Sequence, residues 1–111
     1  MAYDEKLAEK VRESLNRSRG ITEKKMFGGL CFLLNGNMLC GVDNKSQLMV
    51  RVGPEKYEHA LKLKHARQMD FTGKPLKGML YIAPEGTKRK DSILKWVNMA
   101  KDFVKTLPKK P

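Results

Sequence analysis

Apolar residues recur along the chain at two kinds of spacing, which predict helices in some segments and strands in others. The widest helical stripe spans residues 91–107, where apolar positions follow one another at intervals of three or one, and Asp91 is expected to cap that helix. A second stripe lies in residues 4–19, with Asp4 placed to cap its first turn. A shorter helix is expected over residues 53–63. Each helix therefore has one apolar side to bury.

Short apolar runs separated by turn residues predict the strands. The clearest turn is Asn35-Gly36, because a type I′ hairpin turn needs positive φ at both central residues. Residues 65–70 show neither period clearly and are left without an assignment. The predicted strands are residues 22–26, 30–34, 38–42, 47–52 and 78–83.

The expected fold is α+β, because strands joined by tight turns pair antiparallel and leave one face for the helices. We expect a mainly antiparallel sheet of about five strands flanked by three helices, in the order α-β-β-β-α-β-β-α. A chain of 111 residues fits one domain, here residues 1–111.

Composition excludes several classes of protein. No segment approaches the roughly 18 apolar residues of a membrane helix, so no membrane partner is expected. The charged start of the chain, residues 1–6, lacks the apolar core of a secretion signal. Two cysteines, Cys31 and Cys40, are too few for a scaffold built on disulfides. We therefore expect a protein of the reducing cytoplasm.

Positive charge is in excess and unevenly distributed. The chain has 23 Lys and Arg against 12 Asp and Glu, a formal net charge of +11. Residues 1–55 carry 9 basic and 7 acidic side chains, whereas residues 56–111 carry 14 and 5. Such a chain attracts polyanions, although a solubilising lysine surface explains the same numbers. A contiguous basic stripe would favour nucleic acid, and its candidate residues are Lys24, Lys25, Lys74, Lys77, Lys88, Arg89 and Lys90.

The basic run at residues 88–90 stands directly before the last predicted helix. Positive charge there opposes the helix dipole, and an anion bound to the exposed N–H groups would relieve the conflict. A solvated loop is the simpler interpretation, since screening reduces the cost to a few tenths of a kcal/mol.

The two cysteines are a possible redox pair. If Asn35-Gly36 is a two-residue loop, Leu34 faces Asn37 and Cys31 faces Cys40, with Cα atoms ~4.5 Å apart. The alternative is two small buried side chains next to each other, which is common for free cysteine.

No catalytic or metal-binding group stands out. His59 and His65 lie in or just after the second predicted helix, among lysines, without a side chain at a recognisable spacing to orient either ring. The histidines and cysteines fit no standard zinc spacing, and Gly28-Gly29 lacks the pattern of a phosphate-binding loop. We expect no enzyme activity, no metal and no cofactor.

Several motifs together resemble the N-terminal domain of the TfoX/Sxy competence regulators. They cover nearly the whole chain and occur at residues 24–29, 35–38, 49–53, 69–73, 77–79 and 96–97. The resemblance implies an α+β fold similar to that of secretion chaperones, with an antiparallel sheet flanked by helices. It also implies a role in regulating genes for DNA uptake together with other transcription factors, and no enzyme activity. Full-length regulators carry a second, helical domain that this sequence does not contain, so the chain resembles a stand-alone copy.

The expected function is therefore that of a non-enzymatic regulatory or interaction module that contacts DNA or a transcription factor. The alternative is a protein-binding or homodimerising module with no nucleic-acid role. A contiguous basic stripe would favour the first, and a large exposed apolar patch would favour the second.

Overall fold

The computed structural model describes residues 3–16, 18–26, 28–70 and 75–109. Within them, six strands form one sheet and three α-helices accompany it. The strands are β1 (Ile21–Met26), β2 (Gly29–Leu34), β3 (Asn37–Val42), β4 (Leu48–Arg51), β5 (Ala66–Asp70) and β6 (Pro75–Ile82). The α-helices are α1 (Glu5–Ser14), α2 (Tyr57–Leu61) and α3 (Lys90–Val104), and a 3₁₀ helix occupies Pro84–Thr87.

The α+β class and the order of helices and strands are confirmed, with six strands instead of about five. Every strand pair is antiparallel, in the spatial order β1-β2-β3-β4-β6-β5. One strand that the sequence left without an assignment is β5, which covers most of residues 65–70. Among the described strands it lies at the edge of the sheet and pairs with β6, so it needs no strong apolar alternation.

All three helices pack on one face of the sheet. The main core combines apolar residues of each helix with alternate residues of the strands, for example Leu48 and Val50 of β4. Between these two, Met49 points to the opposite face and belongs to a separate small cluster. The period-two geometry of a strand explains the separation.

The helix ends agree only in part with the sequence prediction. Asp4 does cap α1, because its carboxylate accepts a hydrogen bond from the Leu7 N–H at 3.1 Å, which lowers the pKa of Asp4. Asp91, in contrast, does not cap α3. The N-cap position is Arg89, without a side-chain hydrogen bond, and Asp91 lies inside the first turn.

Gly53, which follows β4, is fitted tightly against α3. Its φ is +88°, and a Cβ built on it would lie 2.4 Å from Cδ1 of Phe103. The Phe103 ring also contacts the Arg51 guanidinium, 5.6 Å from the ring centroid. A residue without a side chain is therefore needed where the C-terminal part of α3 meets the sheet.

Replacing Gly53 by Ala is expected to lower the free energy of unfolding by about 2–4 kcal/mol, since backbone strain and overpacking add. Gly28→Ala is the matched control, because Gly28 has φ +73° but no atom of the described residues beyond its chain neighbours lies within 4 Å of the point that a Cβ would occupy. That variant should lose only the strain contribution, about 1–2 kcal/mol. Urea unfolding measures the free energy of unfolding of both variants. Equal losses would show that the Phe103 ring does not restrict the side chain at position 53.

Candidate functional site

The predicted basic residues of β1 do not share a face. Lys24 lies opposite Cys31 in the sheet, and Lys25 lies opposite Leu30, a residue of the main core. Successive strand residues point to opposite sides, so Lys24 and Lys25 are exposed on different faces of this edge strand. Together they cannot form one stripe.

The run at residues 88–90 connects the 3₁₀ helix to α3 and is exposed. Arg89 Nε lies 3.2 Å from Asp91 Oδ1, and Lys90 Nζ lies 3.0 Å from Glu13 Oε2 on α1. Lys88 has no ion-pair partner among the residues that the structure describes. Exposed ion pairs of this kind contribute little to stability, but they neutralise part of the run locally.

The structure does not describe the side chains of the remaining two candidates. Lys74 lies outside the described residues, and Lys77 belongs to β6, where its side chain is not described. The five others lie in two segments, residues 24–25 of β1 and residues 88–90 before α3. Helix α1 lies between these segments: its Arg12 pairs with Glu23 of β1, and its Glu13 pairs with Lys90. Acidic side chains therefore lie between the two basic groups, and the described part of the predicted set is not a contiguous stripe.

The predicted register of the two cysteines is wrong. Asn35 and Gly36 do form the two-residue turn, with φ of 52° and 84°, and Leu34 faces Asn37 as expected. A bulge then shifts the pairing after Leu33, so Cys31 faces Gly41 and Cys40 faces Phe32. The shift arises because one extra residue of β3 is accommodated without a partner.

As a result, Cys31 and Cys40 lie on opposite faces of the sheet. Cys40 belongs to the main core, whereas Cys31 belongs to the small cluster on the other face. Both are free and buried, and burial raises the pKa of each thiol. Two cysteines on opposite faces cannot bond without rearrangement of the strands.

A methionine-rich surface covers the face of the sheet opposite the helices. We call it the methionine face; it consists of Cys31, Met38, Met49, Met79 and Tyr81. Cys31 and Met49 are buried, and the other three are partly buried around them. Met49 lies over Gly41, since a Cβ on Gly41 would be 2.8 Å from the Met49 methyl carbon. No helix residue among the described ones joins this cluster.

The edge of the methionine face is basic. Lys24 lies opposite Cys31, and Arg67 of β5 lies opposite Tyr81. Burial raises the pKa of the Tyr81 hydroxyl, and the nearby Asp43 carboxylate adds to the shift. The surface therefore combines an apolar centre with positive side chains at two strands.

A concave surface lies on the helical side of the molecule. We call it the basic hollow; its volume is about 340 Å³ and its lining residues are Leu63, Lys64, His65, Gly86, Ser92, Lys95 and Trp96. Sequence reasoning considered His65 but missed Lys64 and Lys95. The two lysines belong to segments far apart in the sequence, and no spacing pattern indicates that they meet.

The two histidines belong to different depressions. His65 lines the basic hollow, whereas His59 lines a groove of about 540 Å³ between α2 and α3, together with Glu55 and Asp102. In the described part of the chain, neither imidazole is hydrogen-bonded to a carboxylate. The same part contains no group of three or more His, Cys, Asp or Glu placed to hold a metal ion. None of its helices has the length and apolar character needed to span a bilayer.

These features define a class of protein: a basic α+β domain whose antiparallel sheet carries its helices on one face and a methionine face on the other. The TfoX N-terminal domain family matches the sequence over residues 13–104, which is most of the chain. The chain belongs to this family, and the resemblance seen in its motifs is confirmed. No curated protein and no solved structure matches it.

We expect both thiols of the folded protein to react slowly with a disulfide reagent at pH 8. Burial blocks access, and the raised pKa values leave little thiolate, which is the reactive form. Reaction in urea should be at least about a hundredfold faster, in line with the free energy needed to expose the core. Mass spectrometry after mild oxidation provides the second measurement. Rapid formation of an intramolecular Cys31–Cys40 bond in the folded state would contradict their placement on opposite faces.

Proposed function

We propose that this protein is a non-enzymatic regulatory module that contacts DNA or a transcription factor bound to DNA. The observation that carries the proposal is membership of the TfoX N-terminal domain family, which matches residues 13–104. Family members of the competence-regulator type act on gene expression together with other transcription factors. The proposal gives this chain the same kind of role.

The charge distribution supports contact with a polyanion. The net charge is +11, and several exposed lysines have no acidic partner among the described residues, including Lys24, Lys64, Lys88 and Lys95. Cations that are free of internal partners are available to replace the counterions of a phosphate backbone. These lysines lie on more than one surface of the protein. Their distribution therefore favours contacts with the phosphate backbone over sequence recognition by one helix or strand inserted into a DNA groove.

We also propose a second candidate function, a protein-binding or dimerising module, which the methionine face favours. Unbranched, polarisable methionine side chains adapt to a partner's shape and are common at binding surfaces. The occupant we consider is a second copy of the chain. Repulsion between two molecules of charge +11 opposes this at low salt, and screening removes most of it at high salt.

For DNA, the expected result is binding that persists at about 0.15 M salt, measured by fluorescence anisotropy of a labelled duplex across a salt series. The logarithm of the association constant should fall linearly with the logarithm of the salt concentration. Lys88→Gln should reduce the slope by about 1 if Lys88 contacts a phosphate. Lys56→Gln is the matched control, because Lys56 Nζ already lies 3.7 Å from Asp102. Loss of all binding by physiological salt would exclude the DNA role.

For self-association, sedimentation equilibrium in about 0.5 M salt should show a mass that rises toward that of a dimer with protein concentration. Met79→Lys should abolish the rise, since it places a charge on a partly buried residue of the methionine face. Leu94→Lys is the control, because Leu94 is an exposed apolar residue on α3, on the other side of the sheet. A mass of one chain at every concentration would exclude the dimer.

A further inference from the structure

We propose that the basic hollow binds a phosphate group, supplied either by a nucleic-acid backbone or by a small phosphorylated molecule. Where the source is DNA, the inference rests on the proposed function. Where the source is a free phosphate or a mononucleotide, it stands independently of that function.

One wall of the hollow is a face of α3. Lys95 and Trp96 follow Ser92 by three and four residues, which places each of them next to Ser92 on the helix surface. Trp96 is only 5% exposed, so its ring is too deeply buried to stack on a base. The Ser92 hydroxyl and the Lys95 ammonium are the polar groups that this wall offers a ligand.

The opposite wall is a turn held in an uncommon conformation. His65, between α2 and β5, has φ +74°, a left-handed conformation that few non-glycine residues adopt. Its carbonyl accepts a hydrogen bond from the Ala83 N–H at 2.9 Å. Gly86 of the 3₁₀ helix leaves room for it, since a Cβ there would lie 2.7 Å from the His65 Cβ. Two separate contacts therefore fix the turn that presents Lys64 and His65 to the hollow.

The charge in the hollow has one sign. Among the described residues, its lining contains Lys64 and Lys95 and no acidic residue. Lys95 also borders the neighbouring groove between α2 and α3, where the acidic residues are Glu55 and Asp102. Two lysines that flank these helices do have an acidic partner: Lys56, directly before α2, and Lys105, directly after α3, both pair with Asp102. In the described part of the chain, Lys64 and Lys95 form no ion pair. Two such cations facing one concave surface repel each other, and a bound anion would remove that repulsion.

Phosphate is the anion that best fits this chemistry. Ammonium groups bind phosphate as point charges, and a hydroxyl donor and an imidazole add hydrogen bonds. A volume of about 340 Å³ lies at the small end of ligand sites and accommodates a phosphate with part of a sugar. Because Trp96 is not open for stacking, binding should depend on the phosphate and not on the base.

The test is an NMR titration of ¹⁵N-labelled protein at constant ionic strength with three probes: inorganic phosphate, AMP and a short single-stranded oligonucleotide. Amide shifts are expected for residues 63–65, 86 and 92–96. The double variant Lys64→Gln/Lys95→Gln should weaken phosphate and AMP binding by about tenfold or more. The matched control is Lys56→Gln/Lys105→Gln, which removes the same number of charges from the same helical side of the molecule. It should change the affinity less than about threefold. Circular dichroism would show that both variants are folded.

The outcomes separate the sources of the phosphate. Oligonucleotide binding that weakens in the hollow variant and is displaced by inorganic phosphate would show that the hollow holds a backbone phosphate. Shifts with phosphate and AMP alone, in a protein that fails the duplex-binding test, would retain the hollow as a site for small phosphorylated molecules and reject the DNA role. Equal losses in both double variants, or shifts spread over all lysine-rich surfaces, would overturn the proposal.

Discussion

The burial of α3 against one face of the sheet is the interaction on which the rest of the structure depends. Ile93, Val97 and Ala100 are completely buried there. Each large apolar side chain removed from water contributes roughly 1.5–3 kcal/mol, so the stripe is a major source of stability. The same packing sets the surfaces. With α3 and the other helices on one side, the methionine face is left on the other, and the polar edge of α3 becomes one wall of the basic hollow.

Ion pairs decide where the excess positive charge is left unneutralised. Most acidic residues of the helices, together with Glu23 of β1, are engaged in ion pairs: Glu9 and Glu23 with Arg12, Glu13 with Lys90, Asp91 with Arg89, and Asp102 with Lys56 and Lys105. Each of these exposed pairs contributes little to stability. Their effect on the surface is larger, because in the described part of the chain they leave Lys64 and Lys95, which face the same concave surface, without an ion-pair partner.

A single extra residue in β3 determines what the two faces of the sheet contain. Without the bulge, Cys31 and Cys40 would share a side of the hairpin; with it, they are separated by the sheet. A change of register by one residue moves every later side chain to the other face. Cys40 therefore belongs to the helix-packed core, and Cys31 belongs with Met49 to the methionine face.

The sequence by itself determined the elements whose signals are local. The stripe of α3 follows the helical period, Asn35-Gly36 specifies its turn through φ, and Asp4 caps α1, because each depends on residues within a few positions of one another. The family motifs were also recognisable in the amino-acid sequence alone. Only the tertiary structure decided the features that join distant segments. The first is β5, which is a strand because it pairs with β6. The second is the bulge, whose position depends on packing across two strands. The third is the basic hollow, which brings Lys64 and Lys95 together. No local pattern encodes such contacts, since they are produced by the burial of the core and not by neighbours along the chain.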